Sequence, residues 1–263
     1  MLAVVIYGIS AVYSIFLWRK GFRQDNRVIY LLLFAGLGFH TVAMAKRGFT
    51  FSRCPVNNLY EATTFFAWTM TAAYMVIGLF RRFRFLGAFA APLLFSLGVF
   101  ALMRGLDEHG PQPQFTRGLS SLHASLILLA YGAFGLGSLA ALMYLMQEHD
   151  LRFHKLRAMF ALLPPIQRLE AVTGRMLVTG LSLLTVGLLF GAVWLKREKG
   201  VYFLPDFKIA WSALVWVFYL ALLVLRWRFA QVGRRFAWGA VGGFCFVVLT
   251  FWGANQLSPI HNP

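Results

Sequence analysis

The side chains in this sequence best suited to chemistry are its six histidines, His40, His109, His123, His149, His154 and His261. A neutral imidazole can relay a proton, ligate a metal, or take an axial position on porphyrin iron. The surrounding residues narrow that choice. The two cysteines, Cys54 and Cys245, lie far apart, so there is neither a C-x-x-C dithiol nor the C-x-x-C-H that attaches c-type haem. No triad, phosphate loop or paired-carboxylate site is present, which leaves hydrolase, kinase and glycosidase chemistry without support.

What must position the imidazoles follows from composition. Of 263 residues, 59% are hydrophobic and only 13% charged, with mean hydropathy +0.67. A soluble domain is about half apolar and about a quarter charged. The surplus apolar surface needs lipid, so the expected fold is an all-α integral membrane protein, a single membrane domain over 1–263. Continuous apolar runs rather than alternating ones favour helices over strands. Reading between basic clusters gives about eight spans in one bundle: 1–18, 28–45, 61–80, 85–103, 119–146, 174–195, 209–227 and 236–257. The first run lacks a positive leader and an A-x-A-like site, and Arg19 and Lys20 follow it, so it reads as a retained span.

Charge sets the orientation. The net charge of +16 comes from 25 Lys and Arg against 9 Asp and Glu. These basic residues are read as span-flanking, with no nucleic acid as partner. Connections one, three, five and seven carry sixteen of them and the other side nine, which puts the first set in the cytoplasm and both termini outside. The longest cytoplasmic connection, around Pro164-Pro165, reads as an interfacial amphipathic helix, with His149 and His154 on its solvated face. Glycines 132, 135 and 137 in span five, and 180, 187 and 191 in span six, with GLLFG as a G-x-x-x-G, predict that these two spans pack in the bundle interior.

Four histidines then gather toward the outer side: His40 in the outer half of span two, His109 in a loop, His123 one turn into span five, and His261 in the closing tail. Two imidazoles approaching from opposite faces can clamp one porphyrin. Its plane wants aromatic walls and its propionates want Arg or Lys. The outer side offers Tyr202, Phe203, Phe207 and Trp211, with Lys208 and Arg117. The alternatives stay open on the residues alone. His40 can instead bond a neighbouring helix, flanking aromatics can be interfacial anchors, and outer cations can snorkel.

Four stretches in order add a resemblance. VNNLYEATTFFAW (56–68), LHASLILLAYGAF (122–134), LVTGLSLLTVGLLFGAVW (177–194) and FWGANQLSPIHNP (251–263) resemble the membrane cytochrome c assembly family, the CcsA, ResC and CcmC group. The family-like core covers about 56–263. The resemblance implies haem (heme b) held at the outer face, with His123 and His261 as axial ligands to its iron. In the family a tryptophan-rich outer loop cradles haem. Here GVYFLPDFKIAWSALVW keeps Asp206, Lys208, Trp211 and Trp216, while Tyr202, Phe203 and Ile209 stand where the first tryptophans and the glutamate would be. That pattern is closer to the HemX and YpjD branch.

The leading expectation is a bacterial inner-membrane haem-handling protein of cytochrome c assembly, working with lipid, haem and a second membrane assembly subunit, and not itself an enzyme. His40 would act within the membrane, at haem uptake or as a further ligand. Glu61, at the mouth of span three, would bond a ligand histidine or simply serve as a helix-start carboxylate. The alternative is a HemX-like membrane regulator or scaffold of tetrapyrrole synthesis acting through the cytoplasmic loops.

Overall fold

The computed structural model describes residues 1–19, 26–51, 58–79, 81–103, 105–107, 118–152, 165–230 and 232–256. Among these there is no strand. Eight α-helices follow one another: α1 (Leu2–Arg19), α2 (Arg27–Phe51), α3 (Leu59–Gly78), α4 (Gly87–Ala101), α5 (Leu119–Arg152), α6 (Ile166–Lys199), α7 (Phe207–Arg228) and α8 (Arg234–Gln256), with a 3-10 turn at Arg81–Leu86. Every expected span is a helix. Among the described residues, five segments are long and apolar enough to cross a membrane: Arg27–Phe51, Phe83–Ala101, Leu119–His149, Ile166–Lys199 and Phe207–Arg228. α1 is apolar but shorter (Leu2–Leu17). α3 is less apolar because its buried face carries Glu61, Thr63, Thr69 and Thr71. In lipid such a face is stable only against other helices: Glu61 meets Arg47 of α2, Thr69 the Leu128 carbonyl of α5 and Thr71 the Tyr7 hydroxyl of α1.

Two groups of helices meet along α5. On one side α1 packs on α2 and α4, and α3 on α2 and α4; on the other, α7 packs on α6 and α8, and α8 on α5. α3 joins the groups by lying on α5, and the α5–α6 pairing is the most extensive in the molecule. Small residues let these helices approach. A side chain at Gly132 would strike Thr69 of α3, one at Gly135 would press on Phe244 of α8, and one at Gly137 would strike Leu177 of α6. α5 is therefore served on three sides, which the span-five expectation anticipated. α6 is not interior as expected, because Val178, Val186, Leu189 and Val193 form an exposed apolar stripe on its outer flank.

Three boundaries differ from the sequence expectation by six residues or more, the first being that of α2, which runs on to Phe51 rather than 45. α5 runs on to Arg152, and α6 starts at Ile166, capped by Pro165, rather than at residue 174. The early polar turn of α6 pays its way through Glu170, whose Oε1 lies 3.1 Å from Arg226 Nη1 at the far end of α7. Of the connection expected to hold an interfacial helix, 148–175, the first residues with His149 close α5 and those from Ile166 open α6, while 153–164, with His154, lies outside the described residues.

Candidate functional site

His123 sits in the second turn of α5, with its ring turned onto α6. Its Nδ1 lies 2.7 Å from the carbonyl oxygen of Gly187. A carbonyl can only accept, so Nδ1 carries the proton and Nε2 keeps its lone pair. That is the state of an imidazole prepared to ligate a metal through Nε2, with ring and tautomer fixed by a backbone oxygen. α6 makes room for it. A Cβ at Gly191 would lie 2.6 Å from His123 Nδ1 and 2.7 Å from Cε1. The G-x-x-x-G of α6 is thus more than a helix-packing device: Gly187 supplies the acceptor and Gly191 the recess for the ring. Sequence reasoning missed this role, although spacing alone put both glycines on one face.

The α6–α7 turn begins nine residues after Gly191. Gly200 ends α6 in the left-handed region (φ 75°), its N–H donating to Lys196 O at 3.1 Å. Tyr202 and Phe203 are 64% and 61% exposed, and the Tyr202 ring lies 5.0 Å from Lys196 Nζ. Asp206 is buried and is the N-cap of α7: its Oδ1 accepts from the N–H groups of Lys208 (2.9 Å) and Ile209 (3.3 Å). Trp211 stacks on Phe207 and on Phe246 of α8, at 5.5 and 4.6 Å between centroids. Trp216 Nε1 donates to Thr185 Oγ1 at 2.8 Å and pins α7 to α6. The expected aromatic wall therefore divides. Tyr202, Phe203 and Phe207 are open, while Trp211 is packed into the bundle.

Glu61 has a different partner from the histidine that was one expectation for it. Its carboxylate is buried and accepts from Arg47 Nε at 2.7 Å. It stands in the first turn of α3, the helix-start position that was the other expectation, and its N–H donates to the side chain of the N-cap Asn58 (2.8 Å). The Arg47 guanidinium also grips Asp107 through Nη1 (3.1 Å) and Nη2, and lies over the rings of Phe51 and Tyr60. Asn58 Nδ2 donates to Asp107 Oδ1 (2.8 Å), so the residues after α4 are tied to the ends of α2 and α3. Arg47 had been read only as one of the outer cations.

His40 is buried at the meeting of α1, α2 and α3. Its Nδ1 lies 3.2 Å from Tyr7 Oη, which is 3.4 Å from Thr71 Oγ1. His40 is thus held by α1, and His123 by α6. His261, Arg117 and His109 lie outside the described residues; α8, which leads to His261, is described to Gln256. Among the described residues no three of His, Cys, Asp and Glu converge as metal ligands. His123 stands as a single imidazole rather than a member of a zinc-type cluster.

Comparisons with known proteins identify the family. The sequence pattern of the family described as "Cytochrome C assembly protein" matches residues 56–261. The chain is 27% identical over 269 residues to the "Cytochrome c biogenesis protein CcsA" of Prochlorococcus marinus (strain MIT 9303), covering 91% of this chain and 85% of that one. It is 28% identical over 259 residues to the protein of the same name from Synechococcus sp. (strain RCC307), with 89% and 83% covered. For that of Guillardia theta the identity is 25% over 236 residues, with 82% and 78% covered. With its recess for His123 and the motifs around it inside the matched stretch, this chain belongs to the cytochrome c assembly protein family.

Proposed function

We propose that this membrane protein of cytochrome c assembly holds haem b at the outer face of the bacterial cytoplasmic membrane, with His123 and His261 as its two axial ligands. One observation carries the reading. The His123 ring is fixed by the Gly187 carbonyl and seated against Gly191, so that Nε2 is the nitrogen left to bind iron. The donor suits haem: a neutral imidazole in an apolar, glycine-lined recess at a helix end. Haem is the cargo and supplies an iron with two axial positions. Tyr202, Phe203 and Phe207 offer exposed aromatic surface to its plane. A second membrane subunit of the same assembly system takes the loaded haem onward. The relatives are named for cytochrome c biogenesis, which favours this reading over regulation of tetrapyrrole synthesis from the cytoplasmic connections.

The test is the visible spectrum of the full chain, purified in detergent after haem supply. A Soret band is expected for the parent protein, and its loss or shift in His123→Ala and in His261→Ala. A protein that stays colourless, or a band indifferent to both changes, overturns the proposal.

A further inference from the structure

At the end of the bundle opposite His123, which the charge count makes the cytoplasmic one, α7 and α8 carry a collar of arginines and aromatic rings. The chain passes between them through Ala230 (φ 48°) and Gly233 (φ 77°). The two helices pack closely, since a Cβ at Gly239 would strike Leu222 and one at Gly243 would strike Phe218. Counted from the Leu222–Gly239 level, Arg228 lies six residues on along α7 and Arg235 four back along α8, rises of about 9 Å and about 6 Å. The two arginines therefore reach nearly the same depth, and both are exposed. Trp227 adjoins the first and Trp238 stands one turn beyond the second, 65% and 55% exposed.

Positive charge is in surplus here. Glu170 is taken by Arg226 at 3.1 Å, and Glu148 of α5 faces Arg234 at 4.0 Å. Asp150 and Arg152 of α5 cancel in charge, while Arg168 and Arg175 of α6 are exposed and add to the collar. Above Arg228 the outward face of α7 is apolar. Val224 is four residues before it and Val217 seven before that, so the three share one face, and both valines are exposed. An acidic protein segment would match the charge and miss this track, which runs along a helix long and apolar enough to cross the membrane.

We propose that this collar binds an anionic phospholipid, its phosphate on Arg228 and Arg235 and an acyl chain along Val224 and Val217. The planar guanidinium pairs with phosphate oxygens two at a time, and the indoles of Trp227 and Trp238 suit the depth where headgroup meets chain. A zwitterionic lipid brings the same phosphate with its own cation, which cancels the attraction. The site stands apart from His123 and is independent of the haem reading.

The experiment is native mass spectrometry of the full chain in a non-ionic detergent with equimolar dioleoyl phosphatidylglycerol and dioleoyl phosphatidylcholine. The parent should retain the anionic lipid roughly 25-fold over the zwitterionic one, about fivefold for each arginine. The pair Arg228→Gln and Arg235→Gln should abolish the preference while phosphatidylcholine binding and the thermal midpoint stay at the parent level, which shows that the fold is intact. The pair Arg197→Gln and Lys199→Gln removes the same charge at the other end of the bundle and should keep the preference. A parent without preference overturns the inference, as does a glutamine pair at 228 and 235 that keeps it or weakens both lipids alike, or a pair at 197 and 199 that abolishes it. Release of the phosphatidylglycerol by inorganic phosphate or by polyglutamate also overturns it, since the collar would then be a surface for soluble anions or for protein.

Discussion

Gly191→Ala tests the His123 geometry without touching any group that would contact iron. The added methyl would sit 2.6 Å from Nδ1 and 2.7 Å from Cε1 of His123. Comfortable contact begins at about 3.5 Å, so the ring must retreat from α6 by roughly 0.8–1 Å. The Gly187 carbonyl is on the same helix, and its 2.7 Å bond to Nδ1 lengthens to about 3.5 Å, past the useful limit. Losing the partner that orients a ligand imidazole costs about 10- to 100-fold in affinity, or about 1.4–2.7 kcal/mol. The assay is haem retained per protein after gel filtration, together with the midpoint of thermal unfolding. Gly38→Ala is the control, since its Cβ would meet nothing within 4 Å. Gly191→Ala should lose haem while Gly38→Ala keeps it. If Gly191→Ala binds haem as tightly as the parent, the recess has no part in ligation and the reasoning fails.

Two further outcomes follow from polar groups inside the bundle. Arg47→Ala leaves the fully buried Glu61 carboxylate without its guanidinium, a loss of about 3 kcal/mol. It should lower the thermal midpoint, and Glu61→Gln in the same background should restore part of it; no recovery would place the loss elsewhere. Tyr219 is stacked on Phe134 with centroids 3.7 Å apart, and its buried hydroxyl has no hydrogen-bond partner among the described residues. Tyr219→Phe keeps the stacking and removes a desolvated group, so stability should hold or rise by up to about 1 kcal/mol. A clear fall in unfolding midpoint would show that the hydroxyl is engaged.

The helices were legible because lipid imposes a simple rule: about 20 apolar residues between basic clusters. All eight expected spans are helices on nearly the expected residues. The misjudged ends, α2 past 45, α5 past 146 and α6 before 174, are where helix continues through polar residues. Hydropathy cannot see Glu170 meeting Arg226 across a fold. His123 was legible as a candidate from its depth and from the L-H stretch. What holds it was not legible: a backbone carbonyl 64 residues away carries no side-chain signature. Glu61 shows the same limit. Its position at a helix start was readable, but Arg47 as its partner depends on α2 lying beside α3. Trp211 was read as part of an aromatic porphyrin wall from its place beside Tyr202, Phe203 and Phe207, whereas α8 packs Phe246 against it.

The three glycine faces of α5 bear on how the chain is assembled during synthesis. The helix can settle against α3 as soon as it enters the bilayer, because α3 has already been made. Its imidazole cannot yet be aligned, since the oxygen and the recess that fix it belong to α6. α8, which closes the remaining side, emerges last. A nascent chain halted before residue 187 would hold every helix up to α5 and still carry an unoriented His123. The fixed orientation of this ring is therefore acquired late in translation.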